Sequence, residues 1–306
     1  MYMILDTIIF DPDYNDPLDI NLISQYKKII FSDYLLTKGI YEAYENNIFN
    51  NFKLYSKFNQ EVNMLPQLLT HLTFGWSFNQ KVSQLPQQLT HLTFGYKFNQ
   101  EVTQLPPQLT HLTFGNDFNQ EVTQFPPQLT HLTFGSHFNQ EVVWLPQLLT
   151  HITFGNDFNQ EVNLLSKRLT HLTFGLCFDK SNIYLPLTIK YLKLNCNNPY
   201  IIAQLSSNIE VLEFDLHFNL ELNDLPTSIK QIIFNEDSLY NKELNCLPKF
   251  VEQIQLPYVY NKQIKNLPSK LNKVICSNQY KYIEDFNNLE VRTYKTKVHK
   301  FVRLVD

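Results

Sequence analysis

LTHLTFGYKFNQEVTQLPPQ, residues 89–108, is followed without a gap by LTHLTFGNDFNQEVTQFPPQ, residues 109–128. Further copies stand on both sides. His71, His91, His111, His131, His151 and His171 fall in one column, and their neighbours fall in columns beside them. A fixed period this short is the mark of one supersecondary unit stacked on copies of itself.

The apolar skeleton of the unit is a triplet at offsets zero, three and five, as in Leu69, Leu72 and Phe74. With substitutions it continues at Ile189, Ile209 and Ile229, and with looser spacing at Val251, Leu271 and Leu289. Towards the N-terminus, Phe49/Phe52/Leu54, Tyr26/Ile29/Phe31 and Leu5/Ile8/Phe10 fit the same offsets. No linker or composition shift breaks the register, so the sequence predicts a single repeat domain over residues 1–306. Its parts are degenerate units at 5–48, near-perfect repeats at 49–188, degenerate repeats at 189–294, and a C-terminal cap or tail at 295–306. The first forty-eight residues leave no room for a separate effector module.

After Leu69, Leu72 and Phe74 alternate with His71, Thr73 and Gly75, the period of a short half-buried strand. Strands from successive turns must then lie parallel, about 4.8 Å apart. Phe78, Val82 and Leu85 are expected to point inward on the return path, and Pro86 marks its bend. Proline at one end and glycine at the other leave too few residues for a helix. The column Asn59, Asn79, Asn99, Asn119, Asn139 and Asn159 is expected to satisfy backbone groups at the turn, with ligand recognition as the alternative.

FNQ followed by VxxLPxxLTxLxF resembles the FNIP repeat family, whose units are similar to leucine-rich repeats. The tract LPPQLTHLTF resembles the helix-poor kind that carries an LP pair before the strand. The resemblance covers nearly the whole chain and is most specific over residues 58–178. It loosens where FNQ becomes FDK at Phe178 and FNL at Phe218, and it disappears at Pro199. It implies a leucine-rich-repeat-like, right-handed parallel β-solenoid and an interaction role; with the triplets counted, the expectation is an all-β chain of about fifteen units with little or no helix. Such repeats occur in social amoebae and amoeba-infecting giant viruses, sometimes beside F-box or kinase modules. They have no assigned catalytic chemistry, and no such module is visible in this chain.

Composition narrows the partners. A net charge of −4 gives no electrostatic footprint for nucleic acid or an anionic membrane. The start, MYMILDTIIF, lacks a basic region and is too short an apolar run to span a bilayer. Cys177, Cys196, Cys246 and Cys276 form no CxxC pair and read as reduced, mostly buried side chains of a cytoplasmic protein, in the host cell if the chain is viral. Six of the seven glycines are repeat residues, so no phosphate-cradling loop can be assembled. Asp11, Asp13, Asn15 and Asp16 suggest a calcium loop but lack its glycine and its terminal glutamate, and they read as a solvated turn. No cofactor is called for.

The histidine column is the one arrangement able to carry chemistry. A row of imidazoles could hold a transition metal or sense protons, yet a straight row diverges from tetrahedral geometry, and no acid or nucleophile column stands beside it. A second candidate is the pair of residues after each repeat glycine, where near-identical copies still differ: Trp76-Ser77, Tyr96-Lys97, Asn116-Asp117, Ser136-His137, Asn156-Asp157 and Leu176-Cys177. Exposed aromatics there would suit a binding edge. In the second half, Lys190, Glu210, Lys230 and Glu252 alternate in sign down one column, which sets register by attraction. The expected function is a non-enzymatic, monomeric protein-protein interaction scaffold, with Trp76, Tyr96, His91, His111 and His131 on its binding surface. A metal- or proton-sensing histidine ladder and a structural spacer are the alternatives.

Overall fold

Each copy of the repeat builds one short strand and one return strap, and two turns set their junctions. The N–H of Leu89 donates to the carbonyl of Pro86 at 3.1 Å, closing the bend before the strand, and the N–H of Phe98 donates to the carbonyl of Gly95 at 3.3 Å, closing the bend after it. Between those bends only three or four residues remain extended. The computed structural model describes residues 1–33, 55–162 and 165–294. The chain falls into two compact units, residues 1–188 and 189–306.

The first unit holds β1 (Tyr2–Ile4), β2 (Thr7–Phe10), β3 (Lys28–Phe31), β4 (His71–Thr73), β5 (His91–Thr93), β6 (His111–Thr113), β7 (His131–Thr133), β8 (His151–Thr153) and β9 (His171–Phe174). From β2 to β9 all pairs are parallel, and from β4 onward like pairs with like: His71 with His91, Leu72 with Leu92, Thr73 with Thr93. The central leucine of each strand is buried, while histidine and threonine are half-exposed on the other face. The inward residues pack as aromatic ladders. Phe74 stacks on Phe78 of its own turn at 3.7 Å, and Phe78 on Phe98 of the next at 6.0 Å. Phe78, Phe98 and Phe118 are fully buried.

The second unit repeats the plan with β10 (Tyr191–Leu194), β11 (Val211–Phe214), β12 (Gln231–Phe234), β13 (Gln253–Gln255), β14 (Lys273–Ser277) and β15 (Glu290–Tyr294), all parallel. Glu210 lies between Lys190 at 3.2 Å and Lys230 at 2.7 Å, and Lys193 meets Glu213 at 2.8 Å, so the alternating charges pair across turns as their signs require. Helix among the described residues is confined to α1 (Ile20–Ile23), α2 (Pro199–Ala203) and one 3-10 turn at Ile283–Phe286.

Three expectations need correction. Among the described residues the turns number about thirteen rather than fifteen. Leu5 is not an inward member of a triplet: it is 98% exposed with φ of 49° at the tip of a hairpin, and β1 pairs antiparallel with β2. The repeat expected at Phe49 lies outside the described residues, as does the tail at 295–306. β3 pairs with β4, Ile29 against Leu72. Finally, only Cys196 and Cys276 are buried, and Cys177 and Cys246 are exposed.

The repeat glycines answer a steric demand. All have ordinary φ, but a Cβ on Gly115 would lie 1.7 Å from the carbonyl oxygen of Gly95 in the turn below. Substituting Gly115→Ala therefore forces the turns apart, and the expected loss, read by chemical denaturation, is at least the 1–3 kcal/mol typical of overpacking. Phe118→Ala leaves a void in the spine and should cost about 3–5 kcal/mol. A loss under about 1 kcal/mol for the latter would place that column at the surface.

Candidate functional site

The half-exposed face of β4 to β9 carries the histidine column. Successive rings lie 4.0 to 4.2 Å apart between centroids and within 9° to 16° of parallel, an unbroken stack from His71 to His171. Thr70, Thr90, Thr110, Thr130, Thr150 and Thr170 orient the rings. Each hydroxyl lies 2.8 to 2.9 Å from Nδ1 of the following histidine. From Thr90 onward each also donates to the carbonyl of the threonine one turn earlier at 3.0 to 3.2 Å. A hydroxyl has one proton. With that proton on the carbonyl, the hydroxyl oxygen accepts from Nδ1–H, and Nε2 of the neutral ring is left as an acceptor. The face then offers a row of like acceptors in a fixed orientation.

All six imidazoles are held below the ordinary histidine range. His91 and His151 are pushed down to about 4. Partial burial comes first as the cause at every ring and is the cause given at His111 and His171. At His71, His91, His131 and His151 other imidazoles of the column add to it, with Lys28 acting on His71 and His91 while Asp6 opposes at His71. The order matters, because repulsion along the row would yield to salt and burial does not. For metal binding the stack is poorly arranged. Nearly parallel rings set neighbouring Nε2 lone pairs side by side, whereas zinc needs them to converge. No group of three or more metal-ligating side chains occurs among the described residues.

Trp76 and Tyr96 form a second stack at the rim. Their rings are 3.8 Å apart and 16° from parallel, and Tyr55 covers the other side of Trp76 at 4.0 Å. Both rim aromatics are half-buried rather than exposed, since each spends a face on its neighbour. Asp33 Oδ1 accepts from the N–H of Trp76 at 2.9 Å and from that of Ser56 at 2.8 Å, which seats the start of this edge. Further along, His137 Nδ1 lies 3.4 Å from Asp117 Oδ1. Thus the structure brings His91, His111 and His131 into one column and Trp76 and Tyr96 into one stack. Sequence reading missed the threonine that orients each ring, although it directly precedes every histidine. It also missed Tyr55, which stands in the column that holds glycine from Gly75 onward.

The asparagine column is structural. Asn59 Oδ1 accepts from the N–H of Asn79 at 2.8 Å, and the pattern recurs at 2.9 Å through Asn159. Asn15 begins the ladder by accepting from the N–H of Asn59 at 2.9 Å, while Asp13 pairs with Lys57 at 2.7 Å. The acidic N-terminal turn is thereby spent on fixing the first rungs.

This geometry defines a leucine-rich-repeat-like parallel β-solenoid. Residues 58–97, 98–137 and 138–177 each match the model of the FNIP repeat, and this stretch of the chain belongs to the FNIP repeat family. Among solved structures the chain is similar to the giant-virus protein CroV588, described as a novel circular leucine-rich-repeat protein, with 31% identity and a TM-score of 0.67. The match covers 94% of this chain and 43% of that one, so the chain spans less than half the length of that protein. The functional domain of InlJ from Listeria monocytogenes, which includes a cysteine ladder, shares the fold at 15% identity and a TM-score of 0.50, over 90% of this chain and 68% of that one. No curated protein matches the sequence. No helix among the described residues is long and apolar enough to cross a membrane.

Protonation gives a test of the column. A ring harder to protonate when folded contributes stability that is complete above the unfolded value of about 6.5 and is lost as pH falls towards the folded one. The melting temperature should therefore be flat above about pH 7 and fall between about pH 6.5 and pH 5. A variant with His91→Gln, His111→Gln, His131→Gln and His151→Gln should fall less, and salt should restore only part of the wild-type loss. Equal pH dependence of wild type and variant would show that the imidazoles are not coupled to folding.

Proposed function

We propose that the protein is a non-enzymatic scaffold that binds a partner protein through the histidine face and the adjoining rim. Leucine-rich-repeat-like solenoids typically serve as protein-protein interaction scaffolds. The observation that carries the reading is the preorganisation of the face. Ring stacking and a threonine hydroxyl hold every imidazole in one rotamer, so a partner meets acceptors whose ordering entropy is already spent. The stacked Trp76 and Tyr96, with Tyr55 tilted against Trp76, add an aromatic edge of the kind that concentrates binding energy. The suppressed basicity of His91 and His151 favours one elaboration, in which the face is a neutral acceptor row at cytoplasmic pH and gains charge only under strong acidification.

The test is capture from source-cell lysate with the wild-type chain as bait. A variant carrying Trp76→Ala and Tyr96→Ala, and another carrying His91→Gln, His111→Gln and His131→Gln, should each keep the wild-type circular dichroism spectrum and lose the partner that wild type retains. Equal capture by all three baits would remove this face and rim from consideration.

A further inference from the structure

The straps of residues 81–128 repeat almost without change, and those at 143–168 depart in a consistent direction; the first strap carries exposed Met64 and Leu68 in the same two columns. The column occupied by Gln84, Gln104 and Gln124 continues as Trp144, and that of Gln88, Gln108 and Gln128 continues as Leu148. Trp144 is 72% exposed and Val143 beside it 54%. One turn on, the strap carries Leu165, Lys167 and Arg168, and two turns on Tyr184 and Leu187 are again exposed. A large indole facing solvent among aliphatic side chains is the usual sign of a surface that another molecule covers.

The relief of this surface is specific. One shallow hollow of about 480 Å³ is walled by Phe125, Pro127 and Trp144, and a second of about 460 Å³ by Leu165, Lys167 and Arg168; Leu145 and Leu148 form the ridge between them. The first hollow is apolar and the second ends in two cations. Among the described residues neither Lys167 nor Arg168 pairs with a carboxylate. An anionic membrane surface fits poorly, because exposed Glu141 and Glu161 lie in the same straps and the whole chain is acidic at −4.

We infer that this strap face docks a peptide segment of a partner protein in which large apolar side chains stand next to carboxylates. The apolar side chains fill the hollow beside Trp144, and the carboxylates meet Lys167 and Arg168, the latter able to bind one in bidentate fashion. The surface lies on the return straps, apart from the histidine face, and goes beyond the reading of that face.

The experiment uses the full chain and a short fluorescein-labelled peptide rich in Phe, Leu and Glu, with a twin in which Lys replaces each Glu. Fluorescence anisotropy should show the Glu peptide binding about tenfold or more tightly than its twin, a difference set by the charges alone. Trp144→Ala should weaken it by a similar factor. A variant with Lys167→Glu and Arg168→Glu should reverse the preference between the twins. The variant with His91→Gln, His111→Gln and His131→Gln should bind the Glu peptide as wild type does, which separates this surface from the histidine face. All the substituted side chains are exposed or half-exposed, and melting curves confirm folding. The proposal is overturned by failure of both peptides to bind, by equal binding of the two, or by indifference to Trp144→Ala. It is equally overturned if phosphatidylserine vesicles bind through these residues in place of the peptide, or if the chain self-associates through Trp144.

Discussion

Backbone hydrogen bonds between successive turns fix everything else in this molecule. The carbonyl of Thr70 accepts from the N–H groups of both Thr90 and His91, at 2.9 and 3.1 Å, and the same pair of bonds recurs at Thr90, Thr110, Thr130 and Thr150. Their effect is to place each side chain directly over its own copy. Every position must therefore hold a residue that tolerates an identical neighbour about 4.8 Å away.

The columns are different answers to that demand. Glycine answers it by having no Cβ where the next backbone passes too close for one. Asparagine answers it by carrying an acceptor that matches the donor of its own successor. Phenylalanine does so by stacking in the core, and histidine by staying neutral and stacking at the surface. Charge is the difficult case. In the first unit Glu101, Glu121, Glu141 and Glu161 stand exposed, where water screens their repulsion, while in the second unit signs alternate and pair. Partial burial is the first cause of the lowered basicity of the imidazoles, and at His151 the same rule adds to it, because a proton on one ring raises the cost of the next.

Most of the fold was legible because the period exposes each of these columns. Strand positions, the Phe78 column and the inward Val82 and Leu85 all follow from alternation and spacing alone. The errors arose where periodicity was extended onto resemblance of pattern without copies. Leu5 satisfies the triplet offsets, yet the strand before it turns back as a hairpin, and nothing in a spacing rule distinguishes a rung from a reversal. The exposure of the rim aromatics was misjudged, since Trp76 and Tyr96 stack on each other and Tyr55, where later copies have glycine, packs on Trp76. Trp144 escaped notice for a different reason. It sits in the strap, in the column of Gln84, Gln104 and Gln124, whereas the variable positions singled out were the two after each repeat glycine.

Between β12 and β13 Gln231 pairs with Gln253, and between β14 and β15 Lys273 pairs with Glu290, spacings of 22 and 17 residues against the 20 that separate His71 from His91. The solenoid thus counts rungs, not residues. An array registered in this way can gain or lose residues in a strap without shifting a single column, so its units can drift in length while the sheet stays whole.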